Sequence, residues 1–509
     1  MLPFLKLMKI ILLCLIFIIT NVVDIHSQNR RDALWCFGDS TLIDFNQAPP
    51  YLDYCATRGR GSACSIADSS GNLLFYAHTA NVPLWLAGYY KLGVVWNSDH
   101  QLMENGDSLI GTLLYNEIAI IPDPVNLKRY YLIYTDVTIY GKIYYSVVDL
   151  NYNGGLGKVT SKNILIDSLI NRKVTDCIAA IKHGNGRDWW ILFRTTFDDG
   201  TPTNTFYKLL VTPSGIALYN TQNIGFNTWT GFLRLYFSHS GNKLVLINTL
   251  GLIELYDFDR CSGTLSSLTT IQTEDPSPPL EKLLWSAEFS PNDSVLYVST
   301  NEVPKSFLFQ YNLYDSPISS SKLLIDTITP PTIGGELSSA PDGKIYWACM
   351  FYDVNNHYPY ADSVYNTYNM NLSVINQPNI LGLGCDFQPF SFYLGGHRTY
   401  LGLPNNPNYD MFALGGSTCD TLGLPNTIKD ISKDKILFSP NPFTKEIKII
   451  NNFYSIADLT VINSIGQRKL YIKSVSTTSV DLSFLPSGYY TITYIVHNQR
   501  MQQKMIKVD

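Results

Sequence analysis

"FSPNDSVLYV", Phe289 to Val298, ends one run of β-forming residues, turns through Ser-Pro-Asn-Asp and begins another. Asn and Asp tolerate the left-handed backbone that a tight turn demands, so the stretch reads as a β-hairpin. The phrase recurs as "ADSSGNLLFY" from Ala67, "IPDPVNLKRYYLIY" from Ile121, "IKHGNGRDWWILF" from Ile181, "FSHSGNKLVLI" from Phe237, "SAPDGKIYWA" from Ser339 and "FQPFSFYL" from Phe387. Successive copies start 48 to 60 residues apart. A period of about 50 residues holds four short strands and their loops, the content of one β-propeller blade. Seven copies predict a seven-bladed propeller, while the lengthened second turn and the degenerate seventh copy leave six or eight blades open. The strands in "LWCFGDSTLIDF", Leu34 to Phe45, have no hairpin of their own before Ala67. They are expected to complete the first blade or to pair with the last and close the ring. A β-helix would need a far shorter coil, and a series of sandwiches would not explain one phrase at near-constant spacing.

Composition agrees with an all-β chain. Only 16% of the 509 residues are charged and 13% are aromatic, with 34 Tyr, which suits strands and aromatic surfaces better than long solvated helices. The length exceeds one ordinary core and predicts at least two domains. A net charge of −5 supplies no basic field, which argues against nucleic acid as the main partner. At the N-terminus, Lys6 and Lys9 precede an apolar run from Ile10 to Ile19, and residues 1–27 read as a secretory signal peptide. Cys14 lies inside that run without the small residue expected before a lipidated cysteine. The run is shorter than the about 20 residues of a membrane span, and no second candidate follows, so no transmembrane segment is expected in the mature chain. The other eight cysteines form an even set, as disulfides in an exported protein require, and only Cys55 with Cys64 is close enough in sequence to nominate as a pair. No CxxC spacing or histidine motif calls for a metal, and no cofactor is implied.

The pattern changes after Asn426. "TIKDISKDK" reads as a linker, 426–435, between a propeller over 28–425 and a β-rich segment over 436–509. In that segment "ILFSPNPFTKEIKIINN" gives strand, turn and strand; "ADLTVINSIGQRKLYIK" gives two strands; "SVDLSFLPSGYYTITYIVHNQRMQQKMIKV" gives three more. Seven short strands predict a small Ig-like antiparallel β-sandwich.

The ordered set SPNPF, VINSIGQ, LPSGYYTI and KMIKV resembles the type A C-terminal sorting domain of the type IX (Por) secretion system of Bacteroidetes. The resemblance implies export through the outer-membrane translocon, with a sortase-like peptidase removing the domain and attaching the cargo to surface lipopolysaccharide. It assigns Pro440, Asn441, Pro442, Gly466 and Gly488 to the domain's marker positions and Lys504 and Lys507 to its terminal strand. As residue types, these prolines and glycines are first of all turn formers. The hairpin copies likewise resemble exported Bacteroidetes proteins that join a WD40-like propeller to this tail, a resemblance that implies fold and destination and no catalytic residues.

Chemistry in the propeller half is less legible. "GRDWW" places Arg187, Asp188, Trp189 and Trp190 after a turn, a candidate carbohydrate-stacking platform, although adjacent strand residues point to opposite faces. Asp53, Asp68, Asp188, Asp257, Asp259 and Glu288 are the acids considered for a general acid and base pair; turn acids are common in such folds, and no catalytic residue is nominated. "YNGGLGKVT" lacks phosphate-loop spacing and reads as a hairpin turn. The expected role is a non-catalytic surface or secreted binding protein for a glycan or protein. The alternatives are a polysaccharide hydrolase or lyase built on the propeller and a structural docking protein in adhesion or gliding. Paired acids with raised pKa in the channel would favour the enzyme, and an aromatic rim would favour binding.

Overall fold

In the computed structural model, five of the recurring turns have one geometry. Gly71, Gly186, Gly241, Asp293 and Gly343 each hold a positive φ of 58–89°. Each donates its backbone N–H to the carbonyl three residues earlier, on Asp68, His183, Ser238, Ser290 and Ala340. A side chain in this left-handed conformation meets its own carbonyl, so the position takes Gly or a short polar residue. Asp293 has a second use: its carboxylate accepts the N–H groups of His239 (2.8 Å) and Ser240 (3.0 Å) in the preceding sheet's turn.

The structure describes residues 30–508 except 60–61, 80–92, 112–114, 137–140, 167–170, 229–231, 352–363, 423, 425–436, 440–441, 451–455, 465–466, 476–478 and 497–498. The expected signal peptide lies outside the described residues, as does the expected linker. Two compact units are present, Met1–Leu422 and Gly423–Asp509.

The first unit is a β-propeller built from antiparallel sheets in chain order. Each of the six hairpin copies from Ala67 to Ser339 joins two paired strands at the start of its own sheet, with Arg172–Val174 preceding the pair in the sheet of the Ile181 copy. The strands before those turns are Ala63–Ala67, Ile118–Pro122, Ala179–Lys182, Leu233–Phe237, Leu284–Phe289 and Thr332–Ser339. They are the inner strands, and each packs against the next. The copy at Phe387 is different. Phe387–Tyr393 is the fourth strand of the sheet begun by Thr332–Ser339, where it pairs with Asn371–Ile375 and forms no hairpin of its own.

Leu34–Asp44 pairs instead with Tyr51–Gly59 as a separate two-stranded sheet. It packs against Ala63–Ala67 on one side. On the other, Trp35 and Phe45 meet Tyr346 edge-on, with ring centroids 5.8 and 5.7 Å apart, and Trp35, Phe37 and Ile43 share a core with Ala348, Leu372 and Val374. These contacts close the ring by buried apolar surface.

A strap of chain, residues 398–419, then crosses the ring. Asp39 and Arg398 form an isolated antiparallel bridge, and their side chains form an ion pair. Glu336 N–H donates to the Leu401 carbonyl, Asn405 N–H to Ala63, and Leu414 N–H to Gly184 (2.8, 2.8 and 2.7 Å). The Asn405 amide donates to the Ile118 carbonyl (3.1 Å), and the Tyr409 hydroxyl to Ile120 (2.9 Å). A Cys261–Cys419 disulfide staples its far end.

The expected Cys55–Cys64 pair is corrected by the structure, in which both are free and buried. They lie in different sheets and their thiols donate to different carbonyls, Cys55 to Thr41 (3.0 Å) and Cys64 to Ala77 (3.7 Å). Among the described residues, Cys36, Cys177, Cys349 and Cys385 are also free and buried, the usual fate of cysteine as a small hydrophobe.

The second unit contains the seven expected strands in two antiparallel sheets. Leu437–Ser439, Glu446–Ile450 and Ser479–Asp481 form one; Ile456–Asn463, Arg468–Val475, Gly488–Val496 and Gln499–Lys507 form the other. Phe438, Ile447 and Val480 from the first meet Leu459, Val461, Ile492, Tyr494 and Met505 from the second in one core. Pro440 and Asn441 lie outside the described residues, as does Gly466. Beyond the exposed Pro442, Phe443 is fully buried and bridges the terminal strand, its N–H donating to Ile506 and its carbonyl accepting from Val508 (both 2.9 Å). Gly488 pairs with the buried Lys507, and Thr491 with the exposed Lys504.

Candidate functional site

The inner strands surround a cavity of about 460 Å³, within the roughly 300–1,000 Å³ of small-molecule sites. Its walls come from the segment before Leu34, from five of the inner strands or the residues beside them, and from strap residues 403–411. Alternation within the inner strands decides which side chains reach it. In "LWSAEF" Ala287 and Phe289 are buried in the sheet packing, and Glu288 between them lines the cavity. In "TIGGELSS" the two glycines admit a close approach: a Cβ on Gly335 would stand 2.7 Å from the Leu401 carbonyl oxygen of the strap. Glu336 follows at once and lines the cavity.

Four carboxyls line the cavity, those of Asp32, Glu288, Glu336 and Asp410. Glu336 accepts the Leu403 N–H (2.7 Å) on Oε2, and its Oε1 has no hydrogen-bond partner among the described residues. Glu288 accepts the N–H groups of Ser339 (3.1 Å) and Phe289 (3.0 Å). Asp410 Oδ1 and His239 Nε2 are also buried without a partner. Burial disfavours the charged form of each acid. It pushes Glu288 up to about 8, Glu336 to about 7 and Asp32 to about 6. Asp410 rises to about 7 by burial first and by the Asp32 charge second. Burial lowers the His239 pKa and so favours its neutral form.

Positive charge near the cavity is engaged elsewhere. Lys182 donates Nζ to the Tyr409 carbonyl (2.7 Å), and burial lowers its pKa to about 8. Arg234 forms a buried ion pair with Asp176, its guanidinium 5.2 Å from the Trp285 ring and 5.8 Å from Tyr115. Among the described residues no group of three or more His, Cys, Asp or Glu is arranged to hold a metal ion.

The residues singled out from sequence fall elsewhere. Trp189 and Trp190 point to opposite faces as expected, yet both are buried, in two different cores. Trp190 donates Nε1 to the Arg260 carbonyl (2.8 Å), and Trp189 packs edge-on against Tyr409 of the strap at 5.8 Å. Arg187 pairs with Asp188 (2.7 Å), which also accepts from Asn185 (2.8 Å), so this segment forms a turn and offers no open ring face for stacking. Asp68 and Asp259 cap turns, Asp257 pairs with Lys243 at the surface (2.9 Å), and Asp53 accepts the Tyr54 N–H (2.8 Å). Of the six acids considered, Glu288 alone lines the cavity. "YNGGLGKVT" is a short turn at Asn153–Gly155 leading into Lys158–Leu165.

Glu336, Asp32 and Asp410 carried no motif. Aligning the copies on their turns exposes part of the signal: two and four residues before the turn stand Tyr236 and Arg234, Glu288 and Ser286, Ser338 and Glu336. Polar residues recur there at a spacing of two, where a strand buried on both faces would carry apolar ones.

Residues 438–508 match the family model of the Secretion system C-terminal sorting domain. Such a tail indicates type IX export to the cell surface or the medium. None of the curated proteins matches the chain. Solved structures similar to it include the periplasmic gluconolactonase PpgL of Pseudomonas aeruginosa, at 12% identity and TM-score 0.42, covering 73% of this chain and 98% of that one. The β-propeller domain of Cps50 (Swd1) from Myceliophteria thermophila is similar at 12% identity and TM-score 0.37, covering 63% of this chain and 91% of that one. No helix among the described residues is long and apolar enough to cross a membrane.

Proposed function

We propose that this protein is delivered outside the cell by its C-terminal domain and there binds a small polar ligand, without turnover, in the central cavity of its propeller. The observation that carries this reading is the cavity itself, where inner strands from several sheets and the strap bring together carboxyls whose hydrogen-bonding capacity the protein leaves partly unused. Buried polar atoms without partners are costly, and a ligand that satisfies them recovers that cost. In this reading the ring counts seven blades, with Leu34–Asp44 and Tyr51–Gly59 as an atypical one. Residues 1–27 are the signal peptide, 28–425 the binding module, 426–435 a linker and 436–509 an Ig-like tail that engages the translocon and a sortase-like peptidase.

The raised pKa of the cavity acids is the feature expected to favour a second, catalytic reading. Burial raises Asp32 to about 6 and Asp410 to about 7, and the Asp32 charge adds to the rise of Asp410, the condition under which one carboxyl donates a proton while another accepts one. A screen of the purified protein against monosaccharides, glycan arrays and polysaccharides, read for retention and for product release, separates the two. Retention without product, lost in Ala180→Trp at unchanged melting temperature, is the expected result. Product release abolished by Asp410→Asn would make the hydrolase or lyase reading primary, and silence in both readouts would reject both.

A further inference from the structure

We propose, building on the cavity-binding reading, that the ligand is a small organic cation, a primary ammonium on a polyol-sized body, seated against Glu336. The charge balance of the walls points this way. Asp32, Glu288, Glu336 and Asp410 line the cavity, and none makes an ion pair among the described residues. Glu336 is only 3% exposed, and its Oε1, like Asp410 Oδ1, has no partner.

The bases that would compensate them are occupied or peripheral. Arg234 is paired with Asp176 and reaches Glu336 only through its field, Lys182 is bonded to the strap beside Asp410, and Arg30, which lines the cavity, is exposed and donates to the Asn46 side chain (3.3 Å). An ammonium is three donors with no acceptor and carries the missing charge. A neutral polyol would satisfy the acceptors without favouring the ionised carboxyls, which otherwise have only the distant charges of Arg234, Lys182 and Arg31; an anion would meet like charge and desolvation together.

The field around these acids is set by Asp32 and Arg31 before the first strand, Lys182, Asp176, Arg234, Tyr236 and His239, Asp293 beside Glu288, and Asp410 on the strap. Burial leaves the cavity acids partly protonated near neutrality, so a bound ammonium, which favours their ionised form, must displace protons as it enters. Affinity therefore rises with pH between about 6 and 8, where an aliphatic amine with a pKa of about 10 stays charged.

The test is isothermal titration calorimetry on the full-length protein with glucamine, sorbitol and gluconate, three bodies of one size that differ in end group. Each is titrated at pH 6, 7 and 8 in buffers of different ionisation heat. Glucamine is expected to bind tightest and gluconate weakest, with proton release for glucamine alone. Glu336→Gln is expected to weaken glucamine roughly ten- to a hundredfold and to remove most of the proton release. Asp410→Asn serves as the second variant should Glu336→Gln fail to fold. Sorbitol or gluconate binding as tightly as glucamine, and lost in Ala180→Trp, would overturn the cation while leaving the cavity reading in place. Binding of none of the three would also overturn it, leaving the broader reading to its own screen. Glucamine binding that survives all three substitutions would lie outside the cavity and overturn both.

Discussion

The left-handed turn residues separate backbone strain from crowding. A Cβ on Gly343 would meet nothing within 4 Å, whereas one on Gly186 would stand 2.8 Å from the backbone nitrogen of Ala413 in the strap. Gly343→Ala is expected to cost roughly 1 kcal/mol from φ alone, and Gly186→Ala about 1–3 kcal/mol more from the clash. Denaturant midpoints at constant slope test this, and equal losses would refute the packing of the strap on that turn. Glu336 gives a pH signature. Its ordinary value is 4.5, and burial raises it to about 7, so between these values the folded state holds the extra proton. The stability this supplies is complete below about pH 4.5 and is lost as pH rises through 7. Glu336→Gln is expected to melt like the parent at pH 4.5 and to be more stable at pH 8, by no more than roughly 3 kcal/mol. A pH dependence of melting unchanged by the substitution would show that Glu336 does not titrate in the fold.

Among the elements, the strap carries the largest testable burden. Its disulfide joins residues 158 apart in sequence, and closing so long a loop restricts the unfolded chain by on the order of 4–5 kcal/mol in the chain-entropy model. Reduction, or Cys419→Ser, is expected to lower the melting temperature. It should also raise amide exchange first at the strap contacts of Gly184 and Leu414, before the outer strands. Uniform exchange across the propeller on reduction would mean that the strap and the ring open as one unit. Peptide mapping of the exported protein is expected to recover Cys261 linked to Cys419, with Cys55 and Cys64 unlinked.

The molecule as a whole consists of two units with separate cores, so each is expected to fold without the other. Deleting Ile436–Asp509 should leave the propeller folded, with an unchanged thermal transition, and retained in the periplasm. Normal surface appearance of the truncated chain would remove the export role of the tail. Within the propeller the ring is closed by the aromatic contacts of Trp35 and Phe45 with Tyr346. Tyr346→Ala removes a fully buried ring from that closure. It is expected to cost several kcal/mol, in the range of about 3–5 for a large aromatic, measured by chemical denaturation.

What the sequence determined by itself was local. Hairpins are written in turn residues within a few positions of one another, so "SSGN", "SGNK" and "PDGK" announced the sheets, and the seven strands of the tail were readable from alternation and turns alone. The degenerate copy at Phe387 misled because apolar alternation marks a strand without saying which strand of a sheet it is. Only the tertiary structure decided that Leu34–Asp44 fills its own place between the first and last hairpin sheets, that Cys261 finds Cys419, and that the tryptophans of "GRDWW" are core. It also decided the site. Glu288, Glu336, Asp32 and Asp410 are distant in the chain, and their place on one cavity wall, their burial and their raised pKa arise from a closed ring and a strap laid across it. A single strand's pattern cannot record these properties, because desolvation depends on what the other sheets bring to the same place.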